Sequence, residues 1–146
     1  MISVDTNLLF YALNADAPQH VAAYEWLSAL KREDDVVISE FILVELYRLL
    51  RNPRVLSQPL NAIDAAAVVQ AYRNHPKWRL VGWPTESRPL HDAMWSISGQ
   101  PGFAFRRIFD VRTALTLQAQ GVTELATTNV KDFIDLGFRR VWNPLA

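Results

Sequence analysis

An α/β domain built on a parallel sheet is what this sequence predicts, and three observations predict it. Short apolar runs recur along the 146 residues, each bounded by polar or turn residues. Stretches with helical apolar spacing separate them, as crossovers between parallel strands require. Acids and amides stand where those runs end or where the helices open, the positions at which parallel sheets bind ligands. Helices on both faces make three layers, α/β/α, around a sheet of four or five strands.

Each element has its own warrant. Met1–Val4 is a short apolar run that reads as an inner strand, and Thr6–Leu13 follows with helical spacing. Pro18 opens a second helix through about Leu30, with Val21, Tyr24, Leu27 and Leu30 on one stripe. Val36–Ile38 is the second strand. Ser39 is placed to cap a helix from Glu40 to about Arg51, apolar nearly all round and stopped by Asn52-Pro53. A helix over Ala62–Arg73, a strand over Trp78–Val81 and a short helix from Pro89 to Ile97 come next. Gly99–Phe105 is a loop. Arg107–Gln120 is a strong helix with Gly121 just past its end, where the left-handed cap suits glycine. Glu124–Thr127 and Phe138–Trp142 complete the strands.

Length and composition mark one ordinary globular domain spanning 1–146, half its residues hydrophobic and 21% charged. The absence of cysteine excludes disulfides, zinc–thiolate sites and thiol catalysis, and suits a reducing cytoplasm. The start is too short and too acidic for a signal peptide, and no apolar run reaches a membrane span. The formal net charge is zero, so the whole-molecule field does not announce a nucleic-acid partner. Arginine outnumbers lysine 12 to 3, which favours forked contacts to phosphate or reflects base composition of the gene.

Four places carry the chemistry. Asp5 directly follows the first strand; it reads either as a crevice acid or as the cap of the helix at Thr6. Glu45 lies between Phe41 on one side and Ile42 and Leu49 on the other, an acid in an apolar stripe that needs a metal ion or an arginine as partner. Asp110 shares the inward face of its helix with Thr113, Ala114 and Leu117, or serves the helix N-terminus electrostatically. Asn129 and Asp132 follow the fourth strand, beside Thr127 and Thr128. Carboxylates converging without histidine or cysteine suit magnesium, and magnesium in such a crevice points to phosphodiester cleavage. His20, His75 and His91 show no ligand spacing and read as surface or capping residues.

The segments MISVDTNLLFYAL, ISEFILVELYRLLRNP, IFDVRTALTLQAQG and LATTNVKDF, with the closing GFRRVWNPL, resemble a PIN domain of the VapC toxin type, nearly end to end and in family order. The resemblance implies a magnesium- or manganese-dependent endoribonuclease of a type II toxin–antitoxin module, restrained by a VapB-type antitoxin and assembled as a homodimer. Carried over residue by residue, its metal-holding acids are Asp5, Glu45 and Asp110. The fourth position, often aspartate, is Asn129 here, which removes one negative charge and puts a second metal site in doubt; Asp132 is placed to compensate. Family hydroxyls near the metal match Thr6, Ser39 and Thr127.

An RNA substrate needs a surface as well. The lip expected is Gly102–Arg107, where Phe103 and Phe105 stand next to Arg106 and Arg107, with Arg48, Arg51 and Arg54 as a second strip. The alternative for the two phenylalanines is to pin the loop to the core. Two other functions fit less of the chain. A PIN scaffold that binds RNA or protein without cleaving draws only on Asn129. A haloacid-dehalogenase-like phosphohydrolase wants Asp-x-Asp after its first strand, and the tripeptide here is Asp5-Thr6-Asn7.

Overall fold

The five apolar runs pair into one sheet in the computed structural model, which describes residues 1–146. The strands are β1 (Ile2–Val4), β2 (Val36–Ser39), β3 (Arg79–Val81), β4 (Glu124–Ala126) and β5 (Arg140–Trp142). They lie in the order β3-β2-β1-β4-β5, every neighbouring pair parallel. The helices are α1 (Thr6–Leu13), α2 (His20–Leu30), α3 (Glu40–Leu50), α4 (Ala62–Arg73), α5 (Arg88–Ser98), α6 (Arg107–Ala119) and α7 (Val130–Phe133). From the central β1 the chain builds outward first to β2 and β3, then returns to build β4 and β5 on the other side. That reversal opens a crevice at the carboxyl ends of β1 and β4, where doubly wound sheets bind ligands.

Both faces of the sheet are covered. Val36 and Ile38 point into a core shared with Leu8, Leu9, Leu27, Ile42, Leu43 and Leu46, while Val37 between them points into a second core with Ala114, Leu117, Leu125 and Phe133. Alternation along β2 thus puts helices on both sides, as period-2 side-chain direction demands. The expected α/β/α layering around a parallel sheet of five strands is the observed one.

Element ends shifted where local signals were weak. α2 starts at His20 rather than at Pro18, because Ala17 and His20 close a turn first (His20 N to Ala17 O, 3.1 Å). The expected stripe on α2 is corrected in its first half: Val21 and Tyr24 are exposed at 65% and 58%, and Ala23, Leu27 and Leu30 are the buried set. Small Ala23 lets α2 approach α1 closely, so the packing face rotates away from the larger residues. Ser39 caps α3 as expected, its Oγ accepting from Phe41 N at 3.1 Å. Gly121 ends α6 at φ +92°, and a Cβ there would stand 2.7 Å from Met1 Cε.

Candidate active site

Asp5 caps α1 and, at the same time, stands at the carboxyl end of β1. Its Oδ1 accepts from Thr6 N at 2.8 Å, capping α1, and its Oδ2 accepts from the Thr127 hydroxyl at 2.7 Å. The second bond joins the ends of β1 and β4 and fixes the carboxylate there. Thr127 in turn accepts from Asn129 N at 2.9 Å, which ties the start of α7 to the same point. Asp5 is only 7% exposed. Burial pushes its carboxyl from 3.8 to about 6, against the pull of the Thr127 and Thr6 bonds and with repulsion from Glu45 and Asp132.

Glu45 reaches the same place from α3. The Thr6 hydroxyl donates to its Oε2 at 2.9 Å. The expectation of a buried Glu45 needs correction: the residue is exposed. Of its apolar neighbours Ile42 is buried in the core, while Phe41 and Leu49 are half-buried, so Glu45 stands at the edge of the packed face and not inside it. Neither does an arginine bridge it; the ion pairs of the chain involve other groups.

Asp110, half-buried, projects from the first turn of α6. Burial comes first in raising its carboxyl to about 7, followed by the charges of Asp5, Asp132 and Glu45; Arg107 pulls the other way. Residues 5, 45, 110 and 132 therefore share one electrostatic neighbourhood. Asn129 is exposed at the N-terminal end of α7, its side chain making no capping bond. No three acidic or imidazole side chains are drawn tightly enough to form a closed metal cage. The donor set is nonetheless all oxygen, partly buried and short of cations, which fits a magnesium ion that keeps several waters and takes one or two carboxylates.

The expected RNA lip divides. Arg107 forms an ion pair with Asp135 (3.0 Å), donates to the Asp132 carbonyl (3.3 Å) and lies over the Phe103 ring (5.7 Å). Its guanidinium ties α6 to α7, and Phe103 is half-buried beneath it. Phe105 is 80% exposed with Arg106 over its ring at 5.6 Å, a stacking platform open to solvent. Arg48 is exposed on α3, one turn beyond Glu45. The histidines do what their positions suggested: the Nδ1 atoms of His20 and His91 pair with the Tyr11 and Ser87 carbonyls, and His75 Nδ1 accepts from the backbone of Lys77 and Trp78. Arg112 carries no mark in the sequence as a site residue; in the fold it stands against Phe41 at 4.2 Å, beside Glu45. No local signal marks it, because the contact joins α3 to α6.

Comparison with known proteins agrees with this architecture. The PIN domain family model matches residues 2–137. Ribonuclease VapC24 of Mycobacterium tuberculosis is 45% identical over 145 residues, covering 99% of this chain and 97% of its own. Among solved structures, the M. tuberculosis toxin VapC20, described as cleaving the sarcin–ricin loop, superposes with a TM-score of 0.64 at 20% identity over 86% of this chain and 87% of its own. VapBC2 from Rickettsia felis, solved bound to a DNA fragment from its promoter, gives 0.64 at 18% identity over 98% of both chains.

Proposed function

Because the chain belongs to the PIN-domain family, and within it to the VapC ribonucleases, we propose that it is the toxin of a type II toxin–antitoxin module, an endoribonuclease that hydrolyses RNA phosphodiester bonds in its acidic crevice. The observation that carries the reading is the meeting of Asp5, Glu45, Asp110 and Asp132 in one electrostatic neighbourhood at the strand ends, where burial and mutual repulsion raise two of them. Carboxyl groups crowded in this way hold a proton, or a cation in its place, more readily than isolated ones.

Asp5, Glu45 and Asp110 are the residues that would hold magnesium, or manganese in its place, with Asp132 at the rim. When bound, the ion supplies charge neutralisation on the scissile phosphate and a more acidic water. The remaining work falls to the protein. Thr127 and Thr6 aim the Asp5 and Glu45 carboxylates by hydrogen bonds, as outer-shell partners do. Arg107 holds α7 against α6, and so holds Asp132 near Asp110. Phe105 and Arg106 offer a stacking and phosphate-binding platform for single-stranded RNA.

The resemblance extends the proposal to a VapB-type antitoxin, a homodimer and a cytoplasmic setting. No helix is long and apolar enough to cross a membrane. Asn129 in place of a fourth acid favours the second reading, a PIN scaffold that binds without cutting. Purified protein incubated with total RNA separates the two. Cleavage in magnesium that stops with chelator, and that Asp5→Asn, Glu45→Gln or Asp110→Asn abolishes in folded protein, is the expected result. Intact RNA under all conditions would select the scaffold.

A further inference from the structure

Beside the acid cluster a cleft of about 170 Å³ opens between α3 and α6. Phe41, Glu45 and Arg48 line it from α3, and Phe109 and Arg112 from α6. Glu45 belongs to both the cleft and the crevice, so an occupant here lies one side chain from the reacting phosphate.

The cleft is built in a way that its own packing does not account for. The Arg112 guanidinium lies against two rings, 4.2 Å from the centre of Phe41 and 5.4 Å from that of Phe109. Its Nε is buried without a hydrogen-bond partner. Neither Arg112 nor Arg48 pairs with a carboxylate. The platform under Arg112 is braced: Trp83 meets Phe41 edge-on at 5.5 Å and stacks on His91 at 4.0 Å. Phe109, by contrast, is 58% exposed and leaves ring surface free.

Aromatic walls and two unpaired arginine forks together specify the occupant. An apolar helix would leave both forks without acceptors, and a bare phosphate would leave the rings unused. A splayed nucleobase uses both. A space of roughly 150 Å³ admits a benzene-sized ring, so this cleft of about 170 Å³ has room for the leading ring of one base and for no more than one base. Arginine forks match the paired O6 and N7 acceptors of guanine, whereas adenine turns an amino donor toward them. We propose that this cleft is a base subsite that takes one guanine of the RNA next to the scissile bond, with Phe109 stacking on it and Arg112 and Arg48 reading its acceptor edge. The proposal rests on the chain being a ribonuclease and adds to that reading which base it selects.

Two measurements on the full-length protein test it. In the first, cut sites on a random-sequence RNA pool in magnesium are mapped by sequencing the ends. The unsubstituted protein should show guanine at one fixed position beside the cut. Arg112→Met, which keeps the bulk but not the fork, and the surface variant Arg48→Gln should each relax that position about tenfold and leave others unchanged; Arg112→Lys should not restore it. Phe109→Ala should lower kcat/KM on every sequence about tenfold. In the second, binding of short single-stranded RNAs carrying either one guanine or one adenine is measured by fluorescence anisotropy in chelator. Guanine should bind about tenfold more tightly, and the preference should vanish in Arg112→Met. Cleavage with the same base preference in all variants overturns the subsite and leaves the ribonuclease standing. Guanine-selective binding without any cleavage supports the subsite and removes the ribonuclease. A change from dimer to monomer in Phe109→Ala by sedimentation, with cut sites unchanged, would make the cleft an interface between copies and overturn the proposal.

Discussion

Asp5 plays two parts at once, a helix cap and a buried carboxyl, and the second costs stability once it ionises with no cation beside it. Its carboxyl, raised to about 6, and that of Asp110, raised to about 7, bind protons in the folded chain at pH values where the unfolded chain has released them. Stability from these groups is therefore complete below about pH 4 and is lost as pH rises toward 7. Chemical denaturation of the metal-free protein should show stability falling across that interval. Asp5→Asn should flatten the fall and hold or raise stability at pH 8, the upper bound being about 3 kcal/mol from a shift of some two pH units. A Thr127 hydroxyl facing an amide in place of a carboxylate offsets part of that gain. A second prediction concerns Asn129. If its neutral amide weakens a second ion position, Asn129→Asp should tighten magnesium binding in calorimetry, and two equally tight ions in the unsubstituted protein would end the idea.

Among elements, α7 is the one whose position depends most on other elements. Four residues long, it has no side-chain cap of its own. It is held by Asn129 N on Thr127, by Phe133 in the core, and by Arg107 reaching across from α6 to the Asp132 carbonyl and to Asp135. Arg107→Met should free α7, displace Asp132 and remove the cation that lowers Asp110. The expected result is a loss of roughly 10- to 100-fold in magnesium affinity, the range typical of outer-shell partners, with Asp110 titrating still higher. Magnesium-dependent cleavage and an NMR titration of the carboxyl read the two effects separately. An RNA-contact role for Arg107 predicts instead a change in KM for RNA with metal affinity intact.

At the scale of the whole molecule, zero formal charge hides a local division between an acidic crevice and a rim of arginines. A basic side chain from a partner can enter that crevice in place of a metal ion, forking onto carboxylates. Co-expression with a cognate VapB-type antitoxin should therefore yield a tight, RNase-silent complex. Excess magnesium should compete with one arginine of that antitoxin. Inhibition that survives substitution of every antitoxin arginine would replace plugging of the crevice by occlusion from a docked helix.

The order and kind of the elements were legible in the sequence because their causes are short-range. Apolar runs of three or four residues, Ser39 at a helix start and Gly121 at a helix end act through neighbours in the chain. Strand-end acids were legible for the same reason: a parallel sheet puts every such residue on one rim. Tertiary structure alone decided what those residues face. Thr127 and Asp5 are 122 residues apart, Thr6 and Glu45 are 39 apart, and their bonds exist because β1 lies between β2 and β4. Glu45 looked buried on a helical wheel, but the wheel gives direction around one axis and not how far the next helix stands from it. Arg112 and Phe41 meet for that reason too, since helices packed across a crevice, not residues spaced along a chain, set which side chains share a cleft.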